Sequence, residues 1–130
     1  MTNKKEYDIL SAIIAHKKME IEQQKQAISP EHLRAQAEFL MQEEPTPRRS
    51  MKHALSASPT GIISEFKRRS PSKGWINETA RAEVVPAAYE AAGAAALSIL
   101  TDEKFFGGSL RDIRTARPLV DIPILRKDFI

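Results

Sequence analysis

A short pattern of charged residues gives the first indication of chemistry in this sequence. Glu65 and Lys67 stand two residues apart in a short segment rich in β-branched residues, and Lys127 follows a later apolar segment. Because side chains two residues apart on a strand point to the same side, Glu65 and Lys67 are close enough to tune each other and to act as an acid–base pair. Lys127 would add a second ammonium on that side, which suits an anionic ligand.

Two phenylalanines accompany these charged groups. Phe106 lies in a polar segment after the second apolar run, and Phe129 is two residues after Lys127. The two rings would line an apolar slot for an aromatic ring of the ligand. Simpler interpretations remain open, because a Glu/Lys pair on a strand is often a salt bridge at a rim and phenylalanines are often core residues.

Positive charge is concentrated in residues 48–73. This region has one acidic residue, Glu65, and seven basic ones: Arg48, Arg49, Lys52, Lys67, Arg68, Arg69 and Lys73. Such an excess attracts anions, either a phosphorylated metabolite or a nucleic acid, although a charged run is also typical of a solvated surface. Residues 68–73 also fit a phosphorylation site or a nucleic-acid loop. The aromatic-studded sheet of an RNA-binding domain is not evident, so we predict no nucleic-acid partner.

Composition narrows the class of protein. The chain has no cysteine, which excludes disulfides and thiolate metal sites and fits a reducing cytoplasm. Its three histidines share no ligand-like spacing, so we predict no metal. Apolar runs fall short of the about 18 to 20 residues that a membrane span needs, and the amino terminus lacks the apolar region of a secretory signal. The sequence therefore predicts a cytoplasmic protein with no membrane partner.

Helical patterns dominate the first part of the chain. Residues 5–26 have the apolar spacing of an amphipathic helix. A second helix is predicted to begin at Pro30 with Ser29 as its N-cap, and a short helical turn is predicted over residues 50–56.

From Gly61 onward the pattern alternates between strands and helices. The predicted elements are a strand within 61–67, a polar loop to Gly74, a helix over 78–92 capped by Gly93, a strand over 95–100, a helix over 110–117 that starts at Ser109 and is closed by Pro118, and a strand over 122–126. Strands joined by helical crossovers predict a parallel, right-handed α/β topology. Three polar segments, residues 65–74, 101–108 and 127–129, then lie at the carboxyl ends of the three strands. Such folds bind ligands at these ends.

Three segments resemble one enzyme family, the indole-3-glycerol-phosphate synthases. Residues 63–74 (ISEFKRRSPSKG) resemble the family's first-strand signature, 97–110 (LSILTDEKFFGGSL) its second-strand segment and 123–130 (PILRKDFI) its third. The resemblance covers essentially the whole chain and implies the N-terminal part of a (β/α)8 TIM barrel. It implies two domains: a helical N-terminal extension over residues 1–56, and the first β-α-β-α-β part of the barrel over residues 57–130.

The resemblance also implies an activity. The family are carboxy-lyases of tryptophan biosynthesis, which convert 1-(2-carboxyphenylamino)-1-deoxyribulose 5-phosphate to indole-3-glycerol phosphate, CO2 and water without cofactor or metal. Lys127 resembles the general acid of ring closure, Lys67 the lysine that engages the substrate carboxylate and takes part in proton transfer, and Glu65 the acid–base neighbour implicated in dehydration. Ser70, Phe106 and Phe129 resemble residues of the family's substrate pocket.

The length of the chain decides whether it can have that activity by itself. A TIM barrel takes about 250 residues, and this chain has 130, ending just after the third predicted strand. We therefore expect the remaining strands, with the phosphate cradle, to be missing from it. As an alternative to an active enzyme, the chain is an inactive fragment or a weak module for anionic ligands that self-associates or needs a complementary C-terminal half, because its sheet edge is open. A different phosphate-binding barrel enzyme is a further alternative.

Overall fold

The computed structural model describes residues 8–43 and 48–130. Contacts divide the chain into two compact units, Met1–Pro47 and Arg48–Ile130. The domain boundary predicted between residues 56 and 57 stays a prediction.

Two helices make up the described part of the first unit: α1, Ile9–Ala27, and α2, Pro30–Glu43. The Asp8 side chain accepts a hydrogen bond from the amide of Leu10 at 3.0 Å, and the Ser29 hydroxyl accepts one from the amide of His32 at 3.1 Å. Such bonds satisfy amide groups that have no partner within a helix. The predicted start of α2 is thus confirmed, whereas residues 5–7 lie outside the described residues. Neither these helices nor any other in the described ranges is long and apolar enough to span a membrane.

The second unit contains a three-stranded parallel sheet. Its elements are α3 Met51–Ala57, β1 Ile63–Phe66, β2 Arg69–Ser70, β3 Gly74–Trp75, α4 Val85–Ala91, β4 Ala96–Leu100, α5 Leu110–Ala116, a 3-10 turn Arg117–Leu119 and β5 Ile124–Lys127. The central strand, β4, pairs in parallel with β1 and with β5. Glu65 lies opposite Ser98, and Leu100 lies opposite Lys127. The α/β class with about three parallel strands is confirmed.

One side of the sheet packs on α4 and α5; we call it the helix face, and its residues are Phe66, Ile99 and Ile124. Phe66 and Ile99 are buried in a cluster with Ala82 and Ala116. Partly buried side chains surround that cluster: Ala80, Val85, Tyr89, Ile113 and Ile124. Burial of this apolar surface is the main source of stability for the sheet.

The helix predicted over residues 78–92 is shorter than expected, because α4 begins only at Val85. Proline has no amide hydrogen and clashes with the preceding turn, so Pro86 fits only in the first turn of a helix, which is where it stands. The predicted C-terminal cap of this helix, Gly93, is confirmed. Gly93 has φ of 102°, the left-handed conformation that glycine adopts without strain, and the next amide, of Ala94, donates to the Tyr89 carbonyl at 3.1 Å.

Three further elements differ from the sequence-based expectation. The predicted loop up to Gly74 contains the short antiparallel pair of β2 and β3, which is too short to show a periodic pattern. Pro118 does not simply close α5, because the chain continues past Ala116 into the 3-10 turn that includes it. The last strand covers Ile124–Lys127 rather than 122–126.

Candidate active site

The carboxylate of Glu65 joins both predicted lysines. Its Oε1 lies 3.3 Å from Nζ of Lys67, and its Oε2 accepts a hydrogen bond from Nζ of Lys127 at 3.0 Å. Because strand side chains alternate between faces, all three project from the side of the sheet opposite the helix face. We call this side the site face, defined by Glu65, Lys67, Ser98 and Lys127. The three residues predicted from charge and spacing are therefore brought together.

Sequence reasoning missed a fourth member of this cluster. The hydroxyl of Ser98 donates a hydrogen bond to the same Oε2 of Glu65 at 2.9 Å. Ser98 sits in the middle of β4, where all five residues are buried, and it is itself 3% exposed. A serine in the centre of an otherwise apolar buried strand was the available signal, because a buried hydroxyl needs a partner.

Opposing influences act on the ionisation of Glu65. Burial raises its pKa, but the hydrogen bonds from Lys127, Ser98 and Lys67 together outweigh burial, and the pKa lies below its ordinary value of 4.5. These bonds favour the charged form. Glu65 is therefore a carboxylate at neutral pH, shared between two ammonium groups.

The two predicted aromatic residues also meet. The ring centroids of Phe106 and Phe129 are 6.0 Å apart with their planes at 33°, within the range of favourable aromatic pairs. Phe106 follows β4 and Phe129 follows β5, so both stand beyond the carboxyl ends of strands, whereas Glu65 and Ser98 lie within β1 and β4.

Ser70 has a local partner in the structure. It is 7% exposed, and its hydroxyl accepts a hydrogen bond from the amide of Lys73 at 3.2 Å. This bond closes the turn between β2 and β3. Its predicted place in a substrate pocket stays a prediction.

A half-buried arginine anchors the loops around the site. The guanidinium of Arg68 makes two bonds to the carboxylate of Asp112, of 2.6 and 3.0 Å, which raise the pKa of Arg68. It also donates to the carbonyls of Ala80 at 2.7 Å and Gly107 at 3.0 Å, and it stacks on Phe66 at 4.9 Å. One side chain thus joins the loop after β1 to the segments before α4 and before α5.

Part of the basic run predicted to attract anions is used inside the protein in the same way. Arg69 donates to the Lys104 carbonyl at 3.0 Å and lies 5.4 Å from the centre of the Trp75 ring. Together with Arg68, it accounts for two of the seven basic residues through contacts that hold loops in place.

The loop that carries Phe106 is closed tightly on itself. A carboxylate oxygen of Asp102 accepts a bond from the amide of Phe105 at 2.9 Å, and the Asp102 carbonyl accepts one from Gly108 at 2.8 Å. Gly107 has φ of 63°, and a Cβ atom there would stand 2.9 Å from a ring carbon of Trp75. A Cβ atom at Gly108 would overlap the carbonyl of Leu100. Glycine is therefore required at both positions.

Metal binding finds no support in the part of the chain that the structure describes. Within residues 8–43 and 48–130, no three His, Asp or Glu side chains form a group that could hold a metal ion. The carboxylate of Glu65 is instead neutralised by lysines.

Comparison with known proteins gives a consistent set of matches. Residues 10–130 match the family model described as indole-3-glycerol phosphate synthase. The proteins of that name from Bacteroides thetaiotaomicron, Syntrophobacter fumaroxidans and Neisseria meningitidis serogroup B are 66%, 46% and 44% identical over 123, 127 and 129 residues. Each match covers 95% of this chain and 45%, 46% and 47% of the respective relative. The chain thus spans slightly less than half the length of these relatives.

Proposed function

The chain belongs to the indole-3-glycerol phosphate synthase family, and we propose that, joined to the remaining part of a barrel, it is a carbon–carbon carboxy-lyase. The proposed substrate is 1-(2-carboxyphenylamino)-1-deoxyribulose 5-phosphate, and the products are indole-3-glycerol phosphate, CO2 and water. This places the chain in tryptophan biosynthesis, in the cytoplasm and without cofactor.

One observation carries the proposal: the carboxylate of Glu65 is held between the ammonium groups of Lys67 and Lys127, at 3.3 and 3.0 Å. The proposed substrate brings a carboxylate, a ketone and an aryl ring. Two cations with one carboxylate supply both an anchor for its negative charge and proton donors and acceptors within reach of each other. The side chains of Glu65, Lys67 and Lys127 are 28%, 36% and 54% exposed, so a ligand can reach them.

Ring closure is assigned to Lys127. The aryl carbon that bears the carboxylate attacks the ketone carbon, and Nζ of Lys127 protonates the ketone oxygen as the new carbon–carbon bond forms. Loss of CO2 then restores the aromatic ring. Lys127 suits this role because its ammonium is the more exposed of the two, at 54% against 36% for Lys67, and it is a charged donor that needs no further activation.

Anchoring and dehydration are assigned to Lys67 and Glu65. Lys67 holds the substrate carboxylate until it leaves as CO2. In the dehydration, the hydroxyl formed at ring closure takes a proton from Lys67 and departs as water, while the carboxylate of Glu65 accepts the proton lost from the neighbouring ring carbon as the ring double bond forms. The lowered pKa of Glu65 supports this role, since only the ionised form accepts a proton.

The aryl ring is assigned to the aromatic pair. Phe106 and Phe129, with centroids 6.0 Å apart, offer apolar faces in the segments that follow β4 and β5, and Ser70 completes the proposed pocket. An aromatic ring gains from such contacts both by burial and by ring–ring attraction.

For the 130-residue chain alone, we propose the second function: an inactive fragment, or a weak module for anionic ligands, that needs a complementary half. The open site face favours this interpretation, because Ile63 and Leu125, which flank the cluster on β1 and β5, are 45% and 47% exposed. Apolar side chains of this kind in a sheet mark a surface that another element covers.

A chimera tests both functions. The chain is joined to the part of the Bacteroides thetaiotaomicron relative that follows its matched region, and formation of indole-3-glycerol phosphate is measured for this chimera, for the chain alone and for the chain mixed with the added part. We expect product from the chimera and from the mixture, and none from the chain alone.

Two outcomes decide against these functions. A chimera that folds cooperatively but makes no product contradicts the proposed activity. Product from the chain alone, at the rate of the chimera, contradicts the fragment interpretation. The unmodified relative serves as the positive control for the assay.

A further inference from the structure

A polar network ties together the carboxyl ends of β4 and β5. The hydroxyl of Thr101 donates a hydrogen bond to Oδ2 of Asp128 at 2.9 Å and accepts one from Nε of Arg126 at 3.1 Å. The guanidinium of Arg126 also lies 3.7 Å from the same carboxylate oxygen. All three residues flank Lys127 or lie beside it on the neighbouring strand.

The same network fixes the backbone on both sides of Lys127. The amide of Thr101 donates to the Lys127 carbonyl at 3.0 Å, and Oδ1 of Asp128 accepts a bond from the amide of Phe129 at 2.7 Å. Thr101 is 8% exposed and the Asp128 side chain 5% exposed. Hydrogen bonds shielded from water hold their geometry more rigidly than exposed ones.

We propose that Thr101, Arg126 and Asp128 are positioning residues, which set the direction from which Lys127 and Phe129 enter the site; this inference rests on the function proposed above. Arg126 lies opposite Ile99 in the sheet, so its Cβ leaves on the helix face while that of Lys127 leaves on the site face. The network thus acts on Lys127 through the backbone and not through the substrate.

The backbone must position the Lys127 side chain, because its terminal ammonium group is only weakly held. Its side chain is 54% exposed, has four rotatable bonds and is tied at its end by the ion pair with Glu65. When substrate takes over that ammonium, the position of the Lys127 Cα sets the reach of Nζ. A shift of about 1 Å in such a group can cost about 100-fold in rate.

A purely stabilising role is the competing explanation. Buried ionic networks also hold structures together, and removing one partner is then costly because a charge stays buried without compensation. That role predicts a less stable protein whose folded fraction turns over normally. Positioning predicts a folded protein with a lower kcat and an almost unchanged KM.

The test compares three variants in the chimera. Thr101→Val removes the hydroxyl and keeps the shape, Thr101→Ser keeps the hydroxyl, and Thr115→Val makes the same chemical change at a half-buried site on α5. We expect Thr101→Val to lower kcat by about 10- to 100-fold with KM changed by less than about threefold. Thr101→Ser should recover most of kcat, and Thr115→Val should resemble the parent.

A structural measurement keeps the test independent of activity. With labelled phenylalanine, the ring protons of Phe106 and Phe129 should show a nuclear Overhauser effect in the parent and in Thr101→Ser, and lose it in Thr101→Val. If Thr101→Val does not fold, Asp128→Asn replaces it, since the amide keeps the size but loses the charge that pairs with Arg126.

The outcomes separate this inference from the proposed function. A parent chimera without product refutes the proposed function, and the ring–ring signal then still decides on positioning. An active parent in which Thr101→Val has the kcat of Thr115→Val, or in which Thr101→Ser is as slow as Thr101→Val, refutes the positioning role. Retention of the ring–ring signal in Thr101→Val refutes it as well.

Discussion

The two faces of the parallel sheet differ in almost every physical respect. On the helix face, Phe66 and Ile99 are 2% and 0% exposed and belong to one cluster of apolar side chains. On the site face, Glu65 and Lys127 remain partly exposed and are joined by ion pairs. The same strands supply both faces, because successive residues point in opposite directions.

Stability and chemistry are therefore separable in this chain. Apolar burial on the helix face is worth about 25 cal/mol per Å², whereas the partly exposed ion pairs of the site face are each worth about 0 to 1 kcal/mol. Truncating the apolar side chains of the helix face should therefore lower stability, and removing the charged groups of the site face should lower turnover. In the chimera, the following variants put that separation to the test.

The largest effect is expected for Lys127→Ala. Removing the proposed general acid should lower kcat by about 100- to 10,000-fold, while the midpoint of urea unfolding changes little, because the side chain is half-exposed. Steady-state kinetics and urea titration measure the two quantities. Lys52→Ala, on the exposed surface of α3, is the control. Turnover near that of the control would refute the acid role.

Ile99→Ala should do the opposite. Truncating this fully buried side chain removes apolar contacts and leaves a cavity, which should lower the free energy of unfolding by about 2 to 5 kcal/mol. The matched variant on the site face, Ile63→Ala, truncates a side chain that is 45% exposed in the 130-residue chain, so it should cost less than Ile99→Ala, about 1 kcal/mol. Equal losses in urea unfolding would show that the site face is buried as deeply as the helix face.

Ser98→Ala tests a residue that combines properties of the two faces. Ser98 is buried, like the residues of the helix face, but it is hydrogen-bonded to the charged cluster of the site face. Loss of its hydrogen bond to Glu65 should cost about 1 to 3 kcal/mol of stability. It should also raise the pKa of Glu65, because the charged form loses a donor. The acidic limb of the pH–rate profile should then move to higher pH. Ser64→Ala, one residue before Glu65, is the control and should leave that limb in place.

The smallest expected effect is the change in folding stability with pH that Glu65 causes. Its pKa is lower in the folded protein than the ordinary value of 4.5, so the unfolded chain binds more protons between these two values. The contribution of Glu65 to stability is therefore fully present above pH 4.5 and is lost as the pH falls through the lowered pKa. Urea unfolding at a series of pH values should show this loss. Glu65→Gln should remove it, whereas Glu78→Gln, on an exposed loop, should retain it.

Much of the fold followed from local patterns. Ser29 caps α2 through its hydroxyl and Gly93 ends α4, as predicted, because capping depends on residues only a few positions apart. The helical turn predicted over 50–56 forms α3, with Ser50 as its N-cap. The predicted start of α4, at residue 78, was wrong. Alanine-rich residues favour a helix, but Pro86 restricts where this helix can begin. The β2–β3 pair was missed because strands of two residues carry no periodic signal.

The candidate site was predictable where a single strand determines it. Glu65 and Lys67 share a face by alternation alone. Ser98 and the Arg68–Asp112 pair depend on register and packing between segments separated by 33 and 44 residues, which local patterns do not encode. Lys127 was assigned correctly to the cluster only because parallel strands bring their carboxyl ends to one edge.

The contact between Trp75 and Gly107 provides an optical probe of this edge. Trp75 is the only tryptophan of the chain, it is 50% exposed, and its ring lies against the residue that follows Phe106. Its emission therefore reports the polarity at one small region, without an added label and without background from other indole groups in these 130 residues. A non-fluorescent, unreactive ligand that displaces the Phe106 loop should change the colour or intensity of this emission, so that its binding can be followed separately from turnover.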